Sequence, residues 1–250
     1  MMMSLFAGCG SKEAAADSDL AYIQEKGKLV VGITEYEPMD YKDENGKWIG
    51  FDADLANMVA KELGVEAEFI VLPDWGQKFF ELESKNIDAI WNGMTITEEA
   101  TLNCNVTNPY AMNAQVIVMN ADVAADYATP ASLKDLKFAA ENGSAGQAAL
   151  ADMGIEDVVA VQDQPKAIME VAAGTADACV IDLTMANAMT GEGTAYEDLV
   201  VAQTLNKEEY GVGFRKNSDV TAKVNTILDQ LKKDGSMAEL AATYGINLAE

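Results

Sequence analysis

Acidic side chains at the ends of apolar segments are the residues of this chain best suited to bind a ligand. Asp182 follows the apolar segment 178–181, and this pattern predicts a buried strand that ends at the carboxylate. A carboxylate facing the core would be costly to bury, whereas one facing a cleft is plausible. Asp182 is therefore a candidate cleft residue, and its negative charge favours an amine as partner.

Glu141 occupies a similar place in another segment. It follows the apolar residues 138–140 and precedes Gly143 and Ser144, which predict a turn before a helix over 145–153. Two interpretations remain open. The carboxylate of Glu141 points into a cleft, where it would favour an amine, or it is solvated on the loop.

Net charge is the unusual feature of the composition. Lys and Arg together number 17 against 41 Asp and Glu, which gives a formal charge of −24. Nucleic acids and anionic lipid surfaces bind clustered basic side chains, so this balance argues against both as partners. The charge either serves solubility or creates a field that attracts cationic ligands.

Histidine is absent, and the three cysteines, Cys9, Cys104 and Cys179, lack the spacing of metal ligands. These facts argue against a His-based metal site and against a Ser-His-Asp triad, and we expect neither a metal nor a cofactor. Cys179 lies in an apolar segment, which is typical of a buried small hydrophobic residue. Cys104 has the same interpretation. A disulfide between Cys104 and Cys179 stays open as an alternative without support.

Strands alternate with helices along the body of the chain, as in the series strand 28–33, helix 51–63 and strand 65–72. This alternation predicts an α/β protein with mostly parallel sheets flanked by helices. Two such blocks with an out-and-back connection predict two lobes and a ligand cleft between them. We expect lobe 1 to contain residues 28–118 plus 206–250, and lobe 2 residues 119–205.

The segment 5–11 (Leu-Phe-Ala-Gly-Cys-Gly-Ser) resembles a bacterial lipobox, in which the cysteine is lipidated after signal cleavage. Residues 1–27 are therefore interpreted as a signal-peptide remnant, a lipobox with Cys9 as the lipidation site, and a polar tether. Phe6 stands where the pattern usually has Leu. The expected location is the extracellular face of the cell membrane, lipid-anchored, or the periplasm.

Five further segments carry a resemblance to a known family. They are 31–41 with 50–55, 73–75, 87–100, 141–146 and 175–182. Together they resemble the periplasmic-type amino-acid-binding proteins of ABC importers, the bacterial extracellular solute-binding proteins of family 3. The resemblance runs from about Leu29 to Tyr244, and it implies a two-lobed periplasmic-binding-protein fold.

The resemblance also implies a set of ligand contacts. Aromatic rings at Tyr36 and Trp75 would stack on the two sides of the ligand, although Trp75 can also be read as a loop-packing residue. The turn at Gly143 and Ser144 would hold an anion through helix N–H groups. Asp182 would receive the ligand's amino group. The complete predicted set is Tyr36, Trp75, Asn92, Gly93, Thr95, Glu141, Gly143, Ser144 and Asp182.

One position departs from the family pattern. Ala100 stands where the family usually has an arginine that clamps the ligand's α-carboxylate, and the segment 107–110 keeps the family spacing, so the alignment holds. Arg215 is the single arginine of the chain, at a position that the family does not use for ligand. The chemistry retained is recognition of a cation between aromatic rings, and the chemistry weakened is recognition of a carboxylate.

The expected function is that of an extracytoplasmic solute-binding protein of an ABC importer, which closes its lobes around a small amine-bearing ligand. Its partners would be this solute and an ABC permease; we expect a monomer that binds no nucleic acid. Three alternatives remain: a binder of a cationic amine without an α-carboxylate, a dehydratase-like enzyme of the same fold, and a receptor module. Enzyme activity is not expected, because the sequence offers no catalytic constellation.

Overall fold

The computed structural model describes residues 18–127 and 129–250. The helices are α1 (Asp19–Lys26), α2 (Phe51–Leu63), α3 (Lys78–Glu83), α4 (Glu98–Asn103), α5 (Ala121–Ala124), α6 (Ala145–Asp152), α7 (Gln164–Ala172), α8 (Leu183–Met189), α9 (Val220–Asp234) and α10 (Ser236–Tyr244). The strands are β1 (Lys28–Ile33), β2 (Tyr41–Lys42), β3 (Trp48–Ile49), β4 (Glu66–Val71), β5 (Ala89–Ile90), β6 (Asn105–Val106), β7 (Ala111–Asn120), β8 (Phe138–Glu141), β9 (Val158–Val161), β10 (Ala178–Asp182), β11 (Leu199–Tyr210) and β12 (Gly213–Phe214). Cys9 lies outside the described residues.

The first sheet has the strand order β4-β1-β5-β12-β6. Strand β1 is an interior strand whose residues are buried from Leu29 onward, and it pairs in parallel with β4 and β5. An uninterrupted apolar strand of this kind is typical of a sheet that is covered on both faces. The carboxyl ends of β1 and β5 therefore lie at the same edge of the sheet.

The second sheet has the order β11-β7-β10-β8-β9. All residues of its central strand β10 are buried, and the strand pairs in parallel with β8. Since β10 ends at Asp182 and β8 ends at Glu141, both carboxylates lie at one edge of this sheet. The predicted α/β architecture with two helix-flanked sheets is confirmed. Each sheet also contains antiparallel pairs, which involve β12 in the first and β7 in the second.

The long antiparallel ladder between β7 and β11 bears on the lobe boundaries. Its pairing runs from Leu199 with Asn120 to Tyr210 with Ala111, all within the second sheet. The lobe boundaries expected at residues 118 and 206 would cut this ladder. The hydrogen-bond pairing therefore favours crossings near positions 110 and 211, and we propose these as the lobe boundaries.

Cys104 and Cys179 are both buried and free, so the alternative of a disulfide between them is wrong. Among the helices of residues 18–127 and 129–250, none has the length and apolar content to cross a membrane.

Candidate ligand-binding site

A cavity of about 460 Å³ lies between the two sheets. Residues that follow β5 form one wall, and residues at the carboxyl ends of β8 and β10 form the other. This is the edge at which α/β proteins commonly bind ligands. Of the predicted site residues, the following line the cavity: Trp75, Asn92, Gly93, Thr95, Glu141, Gly143, Ser144 and Asp182.

Tyr36 does not line this cavity. Tyr36 is 1% exposed, and its hydroxyl lies 2.6 Å from the hydroxyl of Tyr210. The backbone folds back at an isolated bridge between Tyr36 and Asp40, which packs the ring beneath Gly93. The stacking pair of Tyr36 and Trp75 that the resemblance implied is therefore not formed in this structure.

Asn92 and Gly93 anchor the loop after β5. The side chain of Asn92 accepts hydrogen bonds from Thr34 N (2.9 Å) and donates to Asp40 Oδ2 (2.7 Å). Gly93 has a φ of 56° and donates its N–H to Asp52 Oδ2 at 2.6 Å. Because the polar atoms of the Asn92 side chain serve the protein itself, its role in ligand binding stays a prediction.

Trp75, Phe79 and the side chain of Lys78 line one side of the cavity. Trp75 is 6% exposed and opens a 3₁₀ turn that the side chain of Asp74 caps. The Nζ atom of Lys78 lies 5.1 Å from the Trp75 ring centroid and 4.8 Å from that of Phe79. Lys78 was missed by the sequence analysis. Its available signal is a lysine directly before two phenylalanines at the start of a short helix.

Asp182 belongs to a buried polar network. Gln115 Nε2 donates to Asp182 Oδ1 at 2.6 Å, Gln164 Nε2 donates to Asp182 Oδ2, and Asn113 donates to Oδ1. Burial raises the pKa of Asp182 well above its usual value, and the charge of Glu208 adds to the rise. Glu208 was also missed, because only the β7–β11 pairing brings it next to Asp182.

Glu141 faces the cavity, which decides between its two interpretations. It is 3% exposed, and its Oε1 atom has no hydrogen-bond partner within the described part of the chain. Burial raises the pKa of Glu141 to about 8. A buried carboxyl group with one unsatisfied oxygen is a ready acceptor for a ligand's N–H groups.

The two walls of the cavity touch at Gly143. A Cβ atom built on Gly143 would lie 2.4 Å from the Cα atom of Gly76, and Asn142 Nδ2 donates to Asp74 Oδ1 at 2.8 Å. Ser144 caps α6, with its Oγ accepting the N–H of Gln147 at 3.1 Å. The lobes thus meet at this turn, and the cavity is closed along this side.

Ala100 also lines the cavity and is 2% exposed, with its N–H donated to the side chain of Thr97 at 3.0 Å. Arg215 does not line the cavity, and it forms ion pairs with Asp19 and Asp88 at 3.0 Å. The described residues contain no group of three or more acidic, cysteine or histidine side chains placed to hold a metal ion.

Comparison with known proteins gives concordant matches. The model of the bacterial extracellular solute-binding proteins, family 3, matches residues 29–247. The L-cystine-binding protein TcyJ of Escherichia coli (strain K12) is 28% identical over 248 residues, covering 98% of this chain and 92% of that protein. The arginine-bound form of truncated ArgBP from T. maritima superposes with a TM-score of 0.77 at 32% identity, covering 84% of this chain and 99% of that one. The ancestral amino acid-binding protein AncCDT-1, a precursor of cyclohexadienyl dehydratase, has a TM-score of 0.82 at 32% identity, with coverages of 91% and 99%.

Proposed function

Because the chain belongs to the bacterial extracellular solute-binding proteins of family 3, we propose that it binds a small amine-bearing solute for an ABC importer. The solute is an amino acid or a derivative of one. Relatives whose names identify them as binding proteins for cystine and arginine support this class. The cavity between the two sheets is the binding site, and lobe closure encloses the solute.

One observation carries the proposal: buried carboxylates gather at the cavity without a cation paired to them. Asp182 and Glu141 line it, Glu208 lies beside Asp182, and within the described residues none of the three takes part in an ion pair. A buried anion is costly unless a partner compensates it. A ligand's ammonium group supplies that compensation, while the ring of Trp75 packs against the rest of the solute.

The test is a calorimetric and thermal-shift screen of amino acids, their amides and simple amines. We expect amine-bearing compounds to raise the melting temperature. Replacement of Asp182 by Asn should weaken the best of them by about tenfold or more, because a buried charge pair loses one partner. The matched control is Asp229→Asn on the exposed face of α9, which should bind as wild type. Stabilisation by acidic compounds alone would refute the proposal.

A second candidate is a dehydratase-like enzyme. Two observations favour testing it: the neighbour AncCDT-1 is described as a dehydratase precursor, and Glu141 has a pKa of about 8, suited to a general acid. We propose binding rather than catalysis, because the relatives named above are binding proteins. Incubation of the screen's hits with the protein, followed by chromatography, distinguishes the two, since an enzyme would consume them over many turnovers.

We further propose that the protein is a monomer, held by a lipid on Cys9 at the outer face of the cell membrane, where it delivers solute to an ABC permease and binds no nucleic acid. The lipobox-like segment 5–11 and the net charge of −24 support these statements. Metabolic labelling with a fatty acid, compared between wild type and Cys9→Ala, tests the anchor. A label that persists in the variant would contradict it.

A further inference from the structure

Lys78 is the one basic residue that lines the cavity within the described part of the chain. It opens helix α3, on the wall opposite Glu141 and Asp182. Its Nζ atom donates to Gly143 O at 3.0 Å and to Trp75 O at 3.4 Å. The ammonium group is thus placed beside the turn that opens α6.

The partners of Lys78 are all uncharged. Two carbonyl oxygens and two aromatic rings surround it, and no carboxylate of the described residues forms an ion pair with it. Arg215 is buried to a similar degree, but it pairs with two aspartates. A buried cation without an anion is unfavourable, so the site retains a demand for negative charge. Burial lowers the pKa of Lys78, and the charges of Glu99 and Glu141 oppose this shift.

We propose that Lys78 binds a carboxylate of the ligand, an inference that rests on the proposed function of the site. Ala100 lines the same cavity, and its methyl group supplies no positive charge there. Ala145, the first residue of α6, lines it too, and first-turn amides have no acceptor within their own helix. The carboxylate therefore lies between the ammonium of Lys78 and the start of α6.

This assignment makes the cavity bipolar. An ammonium group of the ligand meets Asp182 and Glu141, and its carboxylate meets Lys78. A solute that carries both charges places a group of opposite charge beside the carboxylates and beside Lys78, whereas a simple amine leaves Lys78 uncompensated. The alternative to carboxylate binding is that Lys78 occupies the place of a ligand's amine and holds the lobes together through Gly143. This alternative predicts tighter ligand binding when the lysine is removed.

The experiment compares L-arginine and L-histidine, each with its amide, by calorimetry on the wild-type protein and on Lys78→Met, Lys78→Arg and Lys223→Met. Lys223 is an exposed lysine of α9 and serves as the matched control. We expect wild type to prefer the acid over the amide. The Met variant should lose about tenfold or more in affinity for the acid and little for the amide, as expected for removal of a charge-assisted contact. The Arg variant should keep the preference.

Three outcomes would overturn the assignment of Lys78. Equal losses for acid and amide would make the lysine a packing residue, and tighter binding by the Met variant would make it an internal competitor. A wild-type preference for amides would refute it without any variant, while leaving the amine site intact. If no amine-bearing compound binds, the proposed function itself fails.

Discussion

Asp182 and Glu208 accept hydrogen bonds from the same two side-chain amides. Gln115 Nε2 lies 2.6 Å from Asp182 Oδ1 and 2.8 Å from Glu208 Oε1, and Asn113 donates to the same two oxygens. Burial, together with the charge of Glu208, raises the pKa of Asp182 well above its usual value. An ammonium group bound beside this pair would favour the ionised form of Asp182.

Proton release on binding is the first prediction. The pKa of Glu141 is about 8, so this carboxyl group is still protonated between about pH 6 and pH 8. An ammonium group favours the ionised form of the carboxylates, and its binding in this range should therefore release protons. For the same reason, the affinity should rise as the pH rises from about 6 to 8. Calorimetry in two buffers of different ionisation enthalpy measures the protons directly. Equal enthalpies in both buffers would contradict proton release on binding.

The second prediction concerns the stability of the ligand-free protein. The folded-state pKa of Glu141, about 8, lies above its unfolded value, so the folded state binds more protons in between. This group therefore contributes stability at low pH and loses it as pH rises from about 4 to about 8. We expect a lower melting temperature at pH 8 than at pH 5.5, and a smaller difference for Glu141→Gln. Glu62→Gln, an exposed change on α2, should keep the wild-type difference.

The sequence located Asp182 and Glu141 because a strand's end is readable from its apolar residues, and parallel strands present their carboxyl ends at one edge. Glu208 and Lys78 were not readable in this way. Glu208 sits in a strand whose register shifts twice against β7, so its neighbour across the ladder depends on irregularities that composition does not reveal. Lys78 is polar in a short helix, where a single turn gives too little periodicity to say which face is buried.

Tyr36 shows the limit of a resemblance. Its position along the chain matches a ligand-stacking aromatic, but whether a ring faces the cavity or the core depends on the backbone around it. Here the close approach of Gly93 and the hydroxyl contact with Tyr210 keep the ring inside. The lobe boundaries depend on tertiary structure in the same way, because the length of the β7–β11 ladder is set by pairing between segments that are distant along the chain.

The third prediction separates lobe contact from backbone strain. Gly143 and Gly174 both have a φ of 70°, so alanine at either position carries a similar backbone cost of about 1 kcal/mol. Only at Gly143 would the added Cβ collide with another part of the chain, 2.4 Å from Gly76 Cα, whereas at Gly174 it meets open space. Gly143→Ala should therefore weaken ligand binding by about tenfold, because it holds the lobes apart, while Gly174→Ala should bind as wild type. The two melting temperatures without ligand should fall by similar amounts. Equal affinities would mean that the lobes need not touch at this turn.

The fourth prediction asks whether a cation at position 100 can replace the one at position 78. Both residues line the cavity, so an arginine at 100 would extend into the space beside Lys78. Added to the wild-type chain, Ala100→Arg should improve binding of amino acids little, because two buried cations repel each other and both need the same carboxylate. Added to Lys78→Met, it should restore the preference for an amino acid over its amide.

The ratio of the two dissociation constants, measured in each background, is the readout, and the melting temperature confirms that each variant is folded. A double variant that stays indifferent to the carboxylate, while Lys78→Arg keeps the preference, would show that the carboxylate lies too far from α4 for position 100 to reach it.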